Sequence, residues 1–278
     1  MQVQRDPSNV AHALMAAFPP RLADDVRRVL GVVPESVTAP TMPFEVEVEG
    51  GTVAIPSRIY HEEPGTGSER GLSETQQMVL HCLYSRHHDG RVRQRHLEQI
   101  LASGEPWAVP FVVRLAGEYV LEIITSIERG LPGLAEPRSA QRRLYGEFIA
   151  RNPAFFARTE RRVVSYWSCY YRRQYGAFGI YPGSVLLEAL RAAAVEQVGT
   201  PWPRHTPPPP AGPREDTPKG GMAAGLDGGL LVRADEVALQ AADDGRRRWP
   251  PVNEGDDDGH RPVVATPDGF TAKALKNV

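Results

Sequence analysis

The sequence predicts a mostly α-helical fold: helical hairpins packed as an irregular bundle, with one β-hairpin near the N-terminus. Apolar residues recur at three- and four-residue spacing through most of residues 10–199, the period of an amphipathic helix, whereas residues 44–60 alternate instead. A further observation bounds the domain. Six prolines fall between Pro201 and Pro210, followed by Gly-, Asp- and Arg-rich patches with few apolar side chains. A chain of that composition cannot bury enough surface to offset its conformational entropy. The sequence therefore divides into a helical domain, 1–199, and a tail, 200–278, expected to be disordered apart from a transient helix around Ala234 to Ala242.

Leu14, Phe18, Leu22, Val26 and Val29-Leu30 mark two short helices divided by Pro19-Pro20, because proline cannot continue a helix. Phe44-Glu45-Val46-Glu47-Val48 and Thr52-Val53-Ala54-Ile55 alternate about the turn residues Glu49-Gly50-Gly51, a hairpin pattern that Arg58-Ile59-Tyr60 continues past Pro56, an edge marker. After a Gly/Glu/Ser-rich linker, Ser73-Glu74-Thr75-Gln76 has the form of a capping box. It predicts a helix from about Glu74 to Ser85 with Met78, Val79, Cys82 and Leu83 inward. A central helix is expected from about Pro110 to Arg129, on an apolar stripe from Val112 to Ile127, stopped by Gly130 and Pro132. Ser139 opens another, carrying Leu144, Phe148 and Ile149. Asn152-Pro153, an N-cap residue before a first-turn proline, opens one expected to reach Tyr175, and a last helix covers about Ser184 to Val198.

In the run from His87 to Leu101, Asp89, Val92, Arg93 and Leu97 stand at the spacing Asp, two residues, Val, Arg, three residues, Leu, and Ile100 continues the apolar face. This resembles the second helix of a HEAT-type repeat, over about residues 73–101. The resemblance implies a pair of antiparallel helices in which Asp89 caps the second, while Val92, Leu97 and Ile100 pack against Val79 and Leu83. His96 stands where such repeats carry a small Ala, and no second motif follows at their period of roughly 40 to 47 residues. The segment reads either as part of a degenerate HEAT-like stack or as one similar hairpin in an ordinary helical domain.

The chain has 278 residues, 41% apolar and 8% aromatic, enough for a sizeable core. A net charge of −2 gives no global reason to expect nucleic acid or acidic membranes as partners. Cys82 and Cys169, far apart in helical patterns among apolar neighbours, read as buried free thiols of a reducing compartment. The apolar run from Ala13 to Phe18 lacks the layout of a signal peptide, and Phe111 to Ile127 is interrupted by Arg114, Glu118 and Glu122, which excludes a membrane span. The reading is a soluble cytoplasmic protein without a membrane partner.

His81, His87, His88 and His96 cluster around Cys82, but their spacing brings no four together, so no metal site is predicted; they read as surface turn residues plus a packed His96. Cys82 lies on an inward stripe rather than a nucleophile elbow, and Gly220-Gly221 and Gly228-Gly229 lack the strand-loop-helix context of a phosphate loop. Glu118 and Glu122, one turn apart, read as the solvated edge of the central helix, with Arg114 as an i,i+4 partner of Glu118. No catalytic residue, metal ligand or cofactor is predicted.

Charge is distributed unevenly. Lys occurs only at Lys219, Lys273 and Lys276, and residues 80–180 hold fifteen Arg against nine acidic residues. Arg91, Arg93, Arg95, Arg142, Arg143, Arg161, Arg162, Arg172 and Arg173 are the candidate anion- or partner-binding residues. The last pair stands beside Tyr166, Trp167, Tyr170, Tyr171 and Tyr175, and basic residues interleaved with aromatics suit nucleic acid. The same spacing also suits the outer and inner faces of an amphipathic helix. The expected function is a non-catalytic protein-interaction or scaffold module whose partner is another protein. Nucleic acid is the alternative partner, and an enzyme with a site illegible in the sequence is the third reading.

Overall fold

A computed structural model describes residues 7–65 and 67–207, with side chains from residue 10. Among them are nine α-helices and a single two-stranded antiparallel sheet, the mostly α class with an N-terminal hairpin that the periodicity predicts. The tail beyond residue 207, and the helix expected within it, lie outside the described residues.

Helices α1 (Pro7–Met15) and α2 (Ala23–Leu30) are joined through a tight turn at Pro20–Leu22, and they bury Leu14, Phe18, Leu22, Val26 and Val29. Strands β1 (Pro43–Val48) and β2 (Gly51–Pro56) pair in the register Val46 opposite Val53 and Phe44 opposite Ile55, with Val46, Val48, Val53 and Ile55 buried. The two-residue turn has φ of 52° at Glu49 and 77° at Gly50, the left-handed pair that matches strand twist. Glu49 is strained there, and Arg21 holds its carboxylate with two hydrogen bonds of 2.8 and 2.7 Å.

The hairpin leans on the helices through named backbone groups. Ala54 N–H donates to the Ala16 carbonyl at 2.8 Å, and the Asn152 side chain both accepts from Glu47 N–H (2.8 Å) and donates to the Glu47 carbonyl (2.9 Å). Beyond β2 the chain pairs with the turn after the next helix: Ile59 N–H donates to the Arg86 carbonyl and His88 N–H to the Ile59 carbonyl. That pairing sets Arg58 beside Arg86.

Helix α3 (Glu74–Tyr84) begins with the capping box formed by Ser73 and Gln76, and α4 (Gly90–Ile100) begins at Asp89, whose Oδ1 accepts from Arg91 N–H at 2.8 Å. The two helices pack together and bury Val79, Leu83, Val92, Leu97 and Ile100.

The single central helix expected from Pro110 to Arg129 is two: α5 (Val109–Ala116) and α6 (Leu121–Gly130). The break falls at Gly117, where a β-carbon would stand 3.3 Å from Thr159 Cγ2 and 3.6 Å from Arg162 Cβ, so the chain turns where another helix crosses it. Helices α7 (Ala140–Arg151), α8 (Pro153–Tyr166) and α9 (Pro182–Val198) complete the bundle. α7 and α9 meet at Gly146, where a β-carbon would lie 2.4 Å from the Ala193 carbonyl oxygen. The helix expected to reach Tyr175 leaves α-geometry after Tyr166 and continues as a π-helical turn, Trp167–Tyr171. Tyr171 hydroxyl donates to the Tyr119 carbonyl and Trp167 Nε1 to the Tyr175 carbonyl, partners that an uninterrupted helix would not reach.

Residues 200–207 have no regular structure, yet Trp202 packs against the core and Arg204 hydrogen-bonds Glu188 through both Nη atoms. No helix among the described residues is long and apolar enough to cross a membrane.

Candidate functional site

Five arginines from five parts of the chain converge on one carboxylate. Arg58 follows β2, Arg86 lies in the α3–α4 turn, Arg93 is on α4, Arg114 on α5, Arg162 on α8, and Glu118 sits in the α5–α6 turn. Glu118 is fully buried, which corrects the expectation of a solvated edge: the break at Gly117 removes it from any helix face. Glu122 is exposed, so the two carboxylates do not form a pair.

Arg58 Nη2 donates to Glu118 Oε1 at 2.9 Å and Arg93 Nη2 to Oε2 at 3.4 Å. Other donors of the inner arginines go to backbone carbonyls. Arg58 Nη1 and Arg86 Nη2 donate to the Ser57 carbonyl at 2.9 and 2.7 Å, and Arg93 Nη1 to the carbonyls of His87 and His88, both at 2.9 Å. These bonds fasten the hairpin exit to the α3–α4 turn.

Arg114 and Arg162 are placed differently. Buried Arg114 Nε, and buried Arg162 Nε and Nη1, have no hydrogen-bond acceptor among the described residues. Arg114 stands over the Phe44 ring at 5.0 Å and Arg162 over the Tyr166 ring at 5.8 Å, contacts that offset part of the desolvation but supply no full negative charge. The other buried carboxylate among the described residues, Glu160, is engaged by Arg191.

The electrostatics follow from this arrangement. Burial alone would push the Glu118 carboxyl up, but the guanidiniums of Arg58, Arg93, Arg162 and Arg86 overcome it and hold Glu118 far below the usual carboxylate range. Burial, then Arg58 and Arg114, pushes Arg86 down; burial, then Arg162 and Arg58, does the same to Arg114. Arginine nevertheless stays protonated in proteins. Among the described residues Glu118 is the one buried carboxylate that these guanidiniums face, in a region where each ion costs several kcal/mol to desolvate.

No family model, curated protein or solved structure matches this chain.

Of the nine arginines singled out from the sequence, Arg93 and Arg162 belong to the cluster. Arg91, Arg95, Arg143, Arg172 and Arg173 are exposed, and Arg142 and Arg161 are half-buried. Arg142 binds Glu196 Oε2 at 2.7 Å, Arg95 binds Glu63, and Arg172 lies over the Trp167 ring at 5.7 Å. Arg58, Arg86 and Arg114 were not among the candidates. A signal for Arg114 is present in the sequence: it is a lone charge inside Val109–Ala116, every residue of which is buried.

A second cluster gathers histidines. His96 Nε2 lies 2.9 Å from Glu63 Oε1, and His96 Nδ1 lies 2.9 Å from His81 Nδ1. Because a carboxylate only accepts, Nε2 of neutral His96 carries its proton and Nδ1 accepts from His81 Nδ1–H, an order inferred from the network. Tyr84 stacks on His96 at 5.0 Å. Burial, with His96 beside it, pushes His81 down to about 4. Burial, with His88 beside it, pushes His87 down to about 4 as well. His96 is packed as expected and His88 is exposed, but His87 is buried rather than a surface turn residue, because its carbonyl and that of His88 face Arg93. Among the described residues no group of three or more His, Cys, Asp or Glu could hold a metal ion. Cys82 is a buried thiol, raised by desolvation, whereas Cys169, expected to be buried, is exposed on the π-helical turn.

Proposed function

We propose that the protein binds a small anionic ligand at the arginine cluster, with Arg114 and Arg162 as its principal donors. The observation that carries this reading is that Arg114 and Arg162, both buried, hold three N–H groups with no acceptor among the described residues. An anion there would accept charge-assisted hydrogen bonds from donors already in place, the condition under which such bonds contribute most. Arg58, Arg86 and Arg93, tied to Glu118 and to carbonyls, would hold the frame.

Thermal unfolding in phosphate against chloride at matched ionic strength tests it. At a hundredfold excess over its Kd, phosphate stabilises by about 2.7 kcal/mol, a rise in Tm of roughly 5–10 °C for a domain this size. Phosphate also stabilises proteins nonspecifically at high concentration. The rise must therefore saturate at millimolar ligand and disappear in Arg114→Gln and Arg162→Gln. Equal curves in phosphate and chloride overturn the reading.

A second reading, a protein-interaction module of the cytoplasm, draws support from the HEAT-type resemblance and from the exposed apolar side chains of Ile180 and Val185. Nucleic acid as partner draws on exposed Arg91, Arg95, Arg143, Arg172 and Arg173, and requires binding that weakens steeply with salt.

A further inference from the structure

The geometry points to a ligand that joins its anionic group to a planar ring, a nucleoside monophosphate, with the phosphate against Arg114 and Arg162 and the base against Tyr170. This rests on the anion site proposed above and names its ligand class.

Exposure within the cluster rises outward. It is 0% at Arg86, 1% at Arg93, 6% at Arg114 and 9% at Arg162, so Arg162 marks the side nearest solvent. Arg162 Cζ lies 5.8 Å from the ring of Tyr166, which is itself buried. Tyr166 is the inner corner of a triangle of tyrosines, with ring centroids 5.8 Å from Tyr119 and 6.2 Å from Tyr170, and Tyr119 to Tyr170 at 6.3 Å. Tyr119 is half-buried and Tyr170 is 59% exposed. A path therefore leads from buried guanidinium to a solvent-facing phenol ring entirely along aromatic side chains.

The backbone is built to hold that triangle. Tyr170 and Tyr171 sit on the π-helical turn, a geometry that costs regular hydrogen bonding and recurs at functional sites. The turn lets the Tyr171 hydroxyl fasten the Tyr119 carbonyl, fixing the segment that carries the second tyrosine. Aromatic rings stack on any base and are sequence-tolerant, whereas arginines at least nine-tenths buried offer no continuous surface to a phosphate backbone. That combination favours a mononucleotide over a polymer.

Isothermal titration of the full chain with inorganic phosphate, ribose 5-phosphate and AMP tests this. Stacking of a base contributes about 1–3 kcal/mol, so AMP is expected to bind at least roughly fivefold more tightly than ribose 5-phosphate. Tyr170→Ala, at an exposed position, should bring AMP to the level of ribose 5-phosphate, and Tyr170→Trp should restore the gain. Arg162→Gln, with its fold checked by circular dichroism, should abolish binding of all three. Phosphate and ribose 5-phosphate binding with no gain for AMP overturns the nucleotide inference and leaves the anion site standing. Absence of binding by all three overturns both, and an AMP gain that survives Tyr170→Ala overturns the placement of the ring.

Discussion

The Nδ1 atoms of His81 and His96 lie 2.9 Å apart, so the two rings are joined by a single proton. A second proton on His96 would put two Nδ1–H donors face to face, and one on His81, taken up at Nε2, brings a positive charge into a half-buried site. His96 cannot turn away without giving up Glu63, which it meets through Nε2 at 2.9 Å while Tyr84 covers its face.

Stability should therefore fall on acidification. In the unfolded chain His81 titrates near its ordinary value of 6.5; in the folded protein it takes a proton only near 4, and His87 behaves alike. Between those values unfolding takes up protons, so stability is lost as pH falls from about 6.5 towards 4 and is level with respect to these groups above that window. Urea midpoints from pH 7.5 to 4.5 check this. His81→Phe should flatten the slope, and a slope unchanged in that variant would place the proton uptake elsewhere.

Among the described residues Glu118 is the one buried carboxylate facing the five guanidiniums, so removing its charge should be severe. Glu118→Gln keeps the volume but leaves Arg58 and Arg93 without their shared anion, a change expected to cost about 3–5 kcal/mol by chemical denaturation. Glu122→Gln, at an exposed position four residues on, should stay within about 0.5 kcal/mol. Comparable small losses at both positions would show that Glu118 does not organise the cluster.

Local signals in the sequence were legible because short-range chemistry decides them. The Ser73 capping box, the Asp89 cap and the alternation on either side of Glu49-Gly50 all appear where the residues place them. The arginine cluster was not legible, because Arg58, Arg86, Arg93, Arg114, Glu118 and Arg162 meet only through tertiary packing. All but Arg114, the lone charge in Val109–Ala116, look locally like solvated residues. Arg114 and Glu118, at i and i+4, even fit a surface pair, and only the turn at Gly117, imposed by the crossing of α8, sends Glu118 inward. Arg93 and Arg162 stand in basic runs of the sequence, but those runs are not the reason they converge.

Gly146 offers a test of the α7–α9 crossing. On helix propensity alone Gly146→Ala would stabilise by about 1 kcal/mol. The added β-carbon would, however, lie 2.4 Å from the Ala193 carbonyl oxygen and 2.8 Å from its carbon, both backbone atoms that cannot rotate aside. Overpacking of this kind costs about 1–3 kcal/mol, so a net loss of stability is expected. Gly71→Ala, where nothing lies within 4 Å of the new atom, is the matched control. A stabilised Gly146→Ala would mean that the two helices are further apart.

Asn152 separates a local role from a tertiary one. Its place before Pro153 suggests an N-cap, and Ser would serve a cap as well as Asn. Its side chain makes no N-cap bond to α8; instead it pairs with both backbone groups of Glu47, acting as one more partner for the edge of β1, and donates to the Phe148 carbonyl in the last turn of α7. Ser is too short to complete that pair, so Asn152→Ser should leave Glu47 N–H and C=O without their partners and cost about 1–3 kcal/mol. Asn152→Asp keeps the acceptor for Glu47 N–H but turns a second acceptor towards the Glu47 carbonyl, and should be no better. Amide hydrogen exchange at Glu47 reads the contact directly: faster exchange in Asn152→Ser, with α8 unchanged by circular dichroism, is the expected result. A Ser variant as stable as the parent would assign the residue to helix capping after all.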